Sequence, residues 1–423
     1  MDDRTMNTHR ASGASRDGWP FDASRLDQLL DEAGLDALVL NSKHNIQYPL
    51  GGYRFFFFDA MDAIGVSRYL PLLVYVKGRP QDAGYIGNTM ESYERELGRF
   101  WMPTVQTKSW SSETSAKLAV EHLRQLGLGR ARVGVELAFL PADAFRTLQE
   151  ELQEARFADA LLPMERLRAI KTPEERTLLR EASEKVVDAM LAVIAGHGPG
   201  STKRQIVHAL KREEVAHGLN FDYCLITVGP SHNRAPSDQI WQAGDVLSLD
   251  SGGNNHGYIG DVCRTGILRE PDAELVDLLG EVDAIQMAAR QLIRAGARGG
   301  DIFAPALAIL DRSRHKTYTH FTAHGMGLIT HEAPRLTSTG FVPYPGYDED
   351  RPLETGMVIS IETTMLHPSR GYIKLEDTVA ATDAGWIGFG DTGRGWNRGG
   401  TAGRRHADAR PSPSAEHRSA YRW

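Results

Sequence analysis

The chain has 423 residues, is 41% hydrophobic and 24% charged, and carries a formal net charge of -7. That length exceeds the ~250 to 300 residues at which one core stops growing, so two domains are expected, and the composition is that of a soluble folded chain rather than a disordered or membrane one. The modest charge, without a long Lys/Arg run in the folded part, argues against nucleic acid as a partner; two cysteines, Cys224 and Cys263, give no disulfide framework or CxxC pair and fit a reducing cytoplasm.

Residues 1–19 are polar, lack the apolar core of a signal peptide, and are expected to be disordered. From Ser24 a capped helix carries Leu26, Leu29 and Leu30 on one face, Gly34 follows, and Ala37-Leu38-Val39-Leu40 reads as a strand. In Tyr53-Arg54-Phe55-Phe56-Phe57-Phe58, four successive phenylalanines cannot share one face. The run reads as a fully buried strand, with an aromatic wall over a binding site as the sharper alternative. The apolar stretch from Tyr53 to Val76 is broken by Arg54, Asp59, Asp62 and Arg68, which rules out an ordinary membrane span. With strands at Leu72–Val76 and Val133–Val135 and a helix starting near Pro141, residues 20–165 read as a compact α/β domain.

A second start lies at Thr172-Pro173-Glu174-Glu175, where Thr172 can cap, Pro173 suits the first helical position and Glu175 completes a capping box. The helix behind it carries Leu178, Leu179, Ala182, Val186, Ala189 and Met190 at helical spacing, and a further amphipathic helix is expected over 273–295. The second domain is assigned to residues 166–390. After Asp391 the composition turns to Gly, Arg, Ser, Pro and Ala, so 391–423 is expected to be a disordered tail.

Within the second domain, SLDSGGNNHGYIGDVCRTG (248–266) sets Asp250 and Asp261 at the ends of two short apolar runs eleven residues apart, with Gly252, Gly253, Asn254 and Asn255 expected to form the turn of a hairpin. Carboxylates converging inside a protein repel unless a cation sits with them. Three further segments bring one ligand-type residue each to a probable strand: Thr322-Ala323-His324-Gly325-Met326-Gly327, with His331-Glu332-Ala333-Pro334 behind it, Val358-Ile359-Ser360-Ile361-Glu362, and Ile373-Lys374-Leu375-Glu376. Asp250, Asp261, His324, Glu362 and Glu376 make four carboxylates and one imidazole, a set that balances two divalent cations. Such oxygen-rich donors suit Mn²⁺, with Zn²⁺, Co²⁺ or Fe²⁺ as alternatives.

This order of motifs resembles the pita-bread metallopeptidase superfamily, in its creatinase, prolidase and aminopeptidase P branch, and the likeness extends to Ala169-Ile170-Lys171-Thr172-Pro173-Glu174 and the preceding domain. The resemblance implies a creatinase-type α/β N-terminal domain ahead of an α+β pita-bread catalytic domain. It implies that Asp261 and Glu376 bridge two metal ions, that Asp250 binds one, and that His324 and Glu362 bind the other. Water held between two cations is acidified to a nucleophile near neutral pH. Glu362 would shuttle the proton and His331 would hydrogen-bond the substrate carbonyl.

Two departures bear on substrate. The branch's histidine about eleven residues before the Gly-Asp of the first metal strand falls here on Asn233, with His232 one place earlier; a one-residue loop insertion would restore His232 to that role. Lys374 stands where an arginine is common, keeping the charge and losing the bidentate fork. The expected function is therefore a metal-dependent Xaa-Pro aminopeptidase or dipeptidase acting on small peptides. The alternatives are a small-molecule hydrolase or lyase on the same scaffold (creatinase-like, ectoine hydrolase-like or dimethylsulfoniopropionate lyase-like) and a catalytically silent binding module. The resemblance also implies a homodimer whose neighbouring N-terminal domain borders the active site, which makes Arg54 and the phenylalanine run candidates for substrate contact.

Overall fold

The computed structural model describes residues 18–60, 69–337 and 345–400; most of both expected disordered ends lies outside these. The N-terminal domain is built on a six-stranded sheet of β1 (Ala37–Leu40), β2 (Leu72–Val76), β3 (Gly84–Asn88), β4 (Thr104–Ser109), β5 (Arg132–Val135) and β6 (Arg156–Asp159), in the order β4-β3-β2-β1-β5-β6. Alternate residues enter two different cores: Leu38, Leu40, Leu73 and Tyr75 pack to one side, Ala37, Val39, Leu72 and Val74 to the other. A sheet covered on both faces explains why β1 and β2 read as unbroken apolar runs. The first helix, Ala23–Ala33, is capped by Asp22, which accepts from the Arg25 N–H, rather than by Ser24, and Gly34 closes it at φ 63°.

The phenylalanine run is not a buried strand. Phe56–Ala60 form a short 3₁₀ helix, whose three-residue repeat spreads the rings around the axis. Phe55 and Phe58 enter the core beside Tyr69, and Phe56 is 70% exposed.

The second domain carries an antiparallel sheet of β7 (Asn220–Val228), β8 (Val246–Asn255), β9 (Tyr258–Ile267), β10 (Thr319–Gly325), β11 (Val358–His367) and β12 (Gly371–Thr382), ordered β10-β11-β12-β9-β8-β7. The strand β13 (Gly385–Phe389) is added on β12 and β14 (Asn397–Arg398) on β9. The helix Pro173–Gly196 starts at the expected Thr172 capping box and packs on β8 and β9; Lys203–Ala216 covers β7, and Ala273–Arg290 covers β11 and β12. That last helix ends five residues before the expected Ala295, because the chain turns to donate from Ala295 and Gly296 to the carbonyls of Thr382 and Leu353.

Leu249, Ala323, Ile361 and Leu375 face these helices and lie in the apolar cores. Period-two alternation then sends the next residue of each strand, Asp250, His324, Glu362 and Glu376, to the opposite face. Residues 392–400, expected to belong to the tail, are anchored instead: Arg394 pairs with Asp283 and Asp377, Trp396 donates to the Leu275 carbonyl, and β14 pairs with β9. Among the described residues no helix is long and apolar enough to cross a membrane.

Candidate metal centre

The hairpin of β8 and β9 turns at His256-Gly257, both at positive φ (53° and 100°), not at the glycine-asparagine run. A two-residue turn with both residues at positive φ matches the twist of its strands, so β8 runs on through Gly252–Asn255. Asp250 then pairs with Cys263 and Gly252 with Asp261, which sets the two aspartates diagonally on one face.

Cross-strand register assembles the rest. Glu362 lies opposite Glu376, Glu376 opposite Cys263 and Cys263 opposite Asp250, a line across four strands. One step to one side are His324, Ser360 and Asp261; one step to the other is Lys374. Three donor groups converge within 4.8 Å: Asp261 with His324 and His331, His324 with Glu362 and Glu376, and Asp250 with Asp261 and Glu376. Asp250, Asp261, His324 and Glu376 are buried, and Glu362 is partly open.

Asp261 Oδ1 and His324 Nε2 are buried without a hydrogen-bond partner among the described residues. His324 Nε2 stands 3.7 Å from Glu362 Oε1 and 3.9 Å from Glu376 Oε1, too far for direct bonds. An orphaned carboxylate oxygen and an orphaned imidazole nitrogen facing two more carboxylate oxygens are costly as they stand, and they are the donors a divalent ion takes. Burial, then the charges of Glu376 and Asp250, push the Asp261 carboxyl well above the usual range.

Lys374 occupies the other flank. Its Nζ lies 2.6 Å from Asp250 Oδ2, 2.5 Å from Glu362 Oε2 and 2.8 Å from Glu376 Oε2, with its side chain 4% exposed. Burial acts against its charge, but the three carboxylates outweigh burial and hold the ammonium well above its ordinary range. Arg234 also pairs with Asp250 and lies over the Tyr372 ring.

His331 is brought to the site as expected: its ring stacks on His324 at 3.8 Å. Burial, then His324, Lys374 and Arg335, lower its pKa to about 3, so the ring is neutral at neutral pH. His232 and Asn233 lie on the loop between β7 and β8 and are not among the residues that meet at the carboxylate cluster. Both are exposed, and the Asn233 side chain accepts from the Ala235 N–H of its own loop. Arg234 is the residue of that loop that reaches the cluster; an arginine two residues past His232 was a visible signal. Tyr223, whose hydroxyl donates to Asp261, was missed as well.

Arg54 is half-buried, donates to Gln47, and lines a cavity of about 190 Å³ shared with Lys43, His44, Asp222 and Tyr223 of the same chain. The glycines of His324-Gly325-Met326-Gly327 have packing reasons. A Cβ on Gly325 would fall on the Ala333 carbonyl carbon, and one on Gly327 would meet Glu332 Oε1. The close approach lets Glu332 N–H donate to the Gly325 carbonyl. Glu332 itself is fixed between Arg168 (2.9 Å) and Lys171 (3.1 Å), all buried, and so ties the segment carrying His331 to the inter-domain linker.

Comparison with known families matches residues 23–170 to the creatinase/prolidase N-terminal domain and residues 177–383 to metallopeptidase family M24. Among curated proteins, the chain is similar to an Xaa-Pro dipeptidase of Pyrococcus furiosus, 24% identical over 374 residues that cover 85% of this chain and 95% of that one. It is also similar to a probable dipeptidase, PepE, of Mycobacterium bovis, 29% identical over 231 residues; the match spans 53% of this chain and 59% of that relative's length. Among solved structures, an Xaa-Pro dipeptidase from Bacillus anthracis superposes with a TM-score of 0.75 at 22% identity, covering 89% of this chain and 98% of that one. An X-Pro aminopeptidase from Thermotoga maritima does so with a TM-score of 0.70 at 18% identity, covering 89% and 99%. These superpositions establish the fold, a creatinase-type N-terminal domain followed by a pita-bread domain. The chain belongs to metallopeptidase family M24, in the creatinase, prolidase and aminopeptidase P branch of the pita-bread enzymes.

Proposed function

We propose that this protein is a divalent-metal-dependent peptidase that cleaves the bond preceding proline in short peptides, as an Xaa-Pro dipeptidase or aminopeptidase. The observation that carries this reading is the pair of buried donors Asp261 Oδ1 and His324 Nε2, unpartnered among the described residues and set among Glu362, Glu376 and Asp250. The relatives named for Xaa-Pro cleavage support the substrate class.

In this reading the metal-binding side chains are drawn from Asp250, Asp261, His324, Glu362 and Glu376. Mn²⁺ is the ion we propose, on the oxygen-rich donor set, and the four carboxylates counted alone balance two such ions. A metal held there supplies a Lewis acid for the scissile carbonyl and an acidified water. Glu362, the least buried of the carboxylates, receives the proton and passes it to the leaving proline nitrogen. The neutral ring of His331 donates its N–H to the substrate carbonyl oxygen as charge develops there. Arg54 and Lys43 line the cavity that also reaches Tyr223, which supports a role for them in receiving the carboxylate of a short peptide. That favours a dipeptide over a long chain. A homodimer and a cytoplasmic location belong to the same reading.

The test is hydrolysis of Xaa-Pro and Xaa-Ala dipeptides and Xaa-Pro-Xaa tripeptides by metal-loaded protein. Cleavage confined to Xaa-Pro bonds supports the reading, and preference for the dipeptide makes it a dipeptidase. Absence of cleavage by folded, metal-loaded protein moves the assignment to the small-molecule hydrolases and lyases of this scaffold.

A further inference from the structure

The two glutamates of the centre are shared between different partners. Glu362 and Glu376 each turn Oε1 toward His324 Nε2, at 3.7 and 3.9 Å, and Oε2 toward Lys374 Nζ, at 2.5 and 2.8 Å. Asp250 Oδ2 also meets Lys374, at 2.6 Å, and Arg234 pairs with the same oxygen. Asp261 Oδ1, by contrast, has no hydrogen-bond partner among the described residues, and the Asp261 carboxylate lies with His324 and His331.

The centre thus has two halves of unlike character. On the His324 side, among the described residues, Asp261 Oδ1 and His324 Nε2 have no hydrogen-bond partner, Glu376 Oε1 accepts from the Ser360 hydroxyl, and no cationic side chain is paired with these atoms. On the Asp250 side, the lone pairs already face a buried ammonium and a guanidinium. Four carboxylates against one lysine and one arginine leave a formal charge of -2, which one divalent ion neutralises and two would overshoot. A second ion drawing on the convergent set Asp250, Asp261 and Glu376 would share Asp250 and Glu376 with the Lys374 ammonium, 2.6 and 2.8 Å from their oxygens, so that two cations would repel strongly in a site shielded from water.

We propose that Lys374 is a built-in cation that takes the place of one metal ion, so that each chain binds a single divalent ion, held by Asp261, His324, Glu362 and Glu376. This deepens the metallopeptidase reading and rests on it. In that arrangement Asp250 holds Lys374 in place and does not ligate the metal, and Lys374 keeps Glu362 and Glu376 from repelling one another before the metal arrives.

The test is stoichiometry. Full-length protein stripped with a chelator and titrated with Mn²⁺ is followed by calorimetry, with bound metal counted by elemental analysis after desalting and the spin state followed by electron paramagnetic resonance. The expected result is one tightly bound ion per chain with the signal of an isolated Mn²⁺, while a second equivalent stays in solution. Lys374→Met, which keeps length and removes charge, is expected to take up two ions with an exchange-coupled signal. Two ions bound with comparable affinity by the unaltered protein would overturn the proposal and leave the peptidase reading standing. No bound ion at all would overturn both. One ion in both proteins would remove Lys374 as the cause. The titration of the unaltered chain decides the metal count even if the variant does not fold.

Discussion

Glu362 and Glu376 face one another directly across β11 and β12, two carboxylates in a cross-strand pair that also contacts Lys374. Like charges placed opposite in a sheet destabilise it unless a cation intervenes, so metal affinity and activity are coupled at this pair. Glu376→Gln is expected to lose bound metal and to lower kcat/KM on the order of 10³-fold, about 4 kcal/mol of barrier. Adding Mn²⁺ at about 100 times its Kd should raise the stability of the unaltered protein by about 2.7 kcal/mol and leave the variant unchanged. Elemental analysis and thermal unfolding with and without chelator check both halves. Full metal content and activity in the variant would remove Glu376 from the centre.

The neutral ring of His331, stacked on His324, is available as a donor. His331→Ala should reduce kcat by on the order of 10² to 10³-fold, as loss of an oxyanion donor does, with metal content unchanged. Loss of metal together with rate would make His331 a ligand instead.

Arg54 reaches the cavity beside Tyr223 from the N-terminal domain. If it binds the substrate carboxylate, Arg54→Ala raises KM for an Xaa-Pro dipeptide about tenfold, near 1.4 kcal/mol, with kcat little changed. Steady-state kinetics on dipeptide and dipeptide amide check this, since the amide should be indifferent to the substitution. An unaltered KM for the free acid sinks the assignment.

Glu214, on the helix Lys203–Ala216, is buried; its Oε1 accepts from Ser251 Oγ and its Oε2 has no partner among the described residues. Burial pushes its pKa up to about 7. A carboxyl whose folded pKa is raised binds its proton more tightly in the native state, so its contribution is full below about 4.5 and lost as pH rises through 7. Glu214→Gln should therefore be more stable than the unaltered chain at pH 8, by about 3 kcal/mol, with the gap vanishing near pH 4.5. Parallel stability-versus-pH curves for the two proteins would contradict this.

Much of the catalytic domain was legible because its signals are local. The Thr172 capping box needs only three residues, and the alternation that sends Asp250, His324, Glu362 and Glu376 to one face is written in each strand. What the chain does not spell out is set by contacts distant in sequence. Lys374 meets Asp250 across 124 positions, and only the folded sheet shows that its ammonium lies within the carboxylate cluster rather than at its edge. Gly252 and Gly253 look like turn residues, yet they lie in β8 and are glycine because a Cβ would strike Tyr223 at the first and Val186 at the second. His232 and Asn233 were placed by counting, and a loop does not preserve counts as a strand does. The Arg394–Asp377 pair and the bond from Trp396 to Leu275 hold residues that composition alone assigns to a tail.

The most direct test of the whole account is proline release from an Xaa-Pro dipeptide by chelator-stripped protein as Mn²⁺ is added back. The account predicts negligible release without metal and a saturable rise with it, abolished by Asp261→Asn. Metal-independent release, or none from folded protein with Mn²⁺ bound, would contradict it.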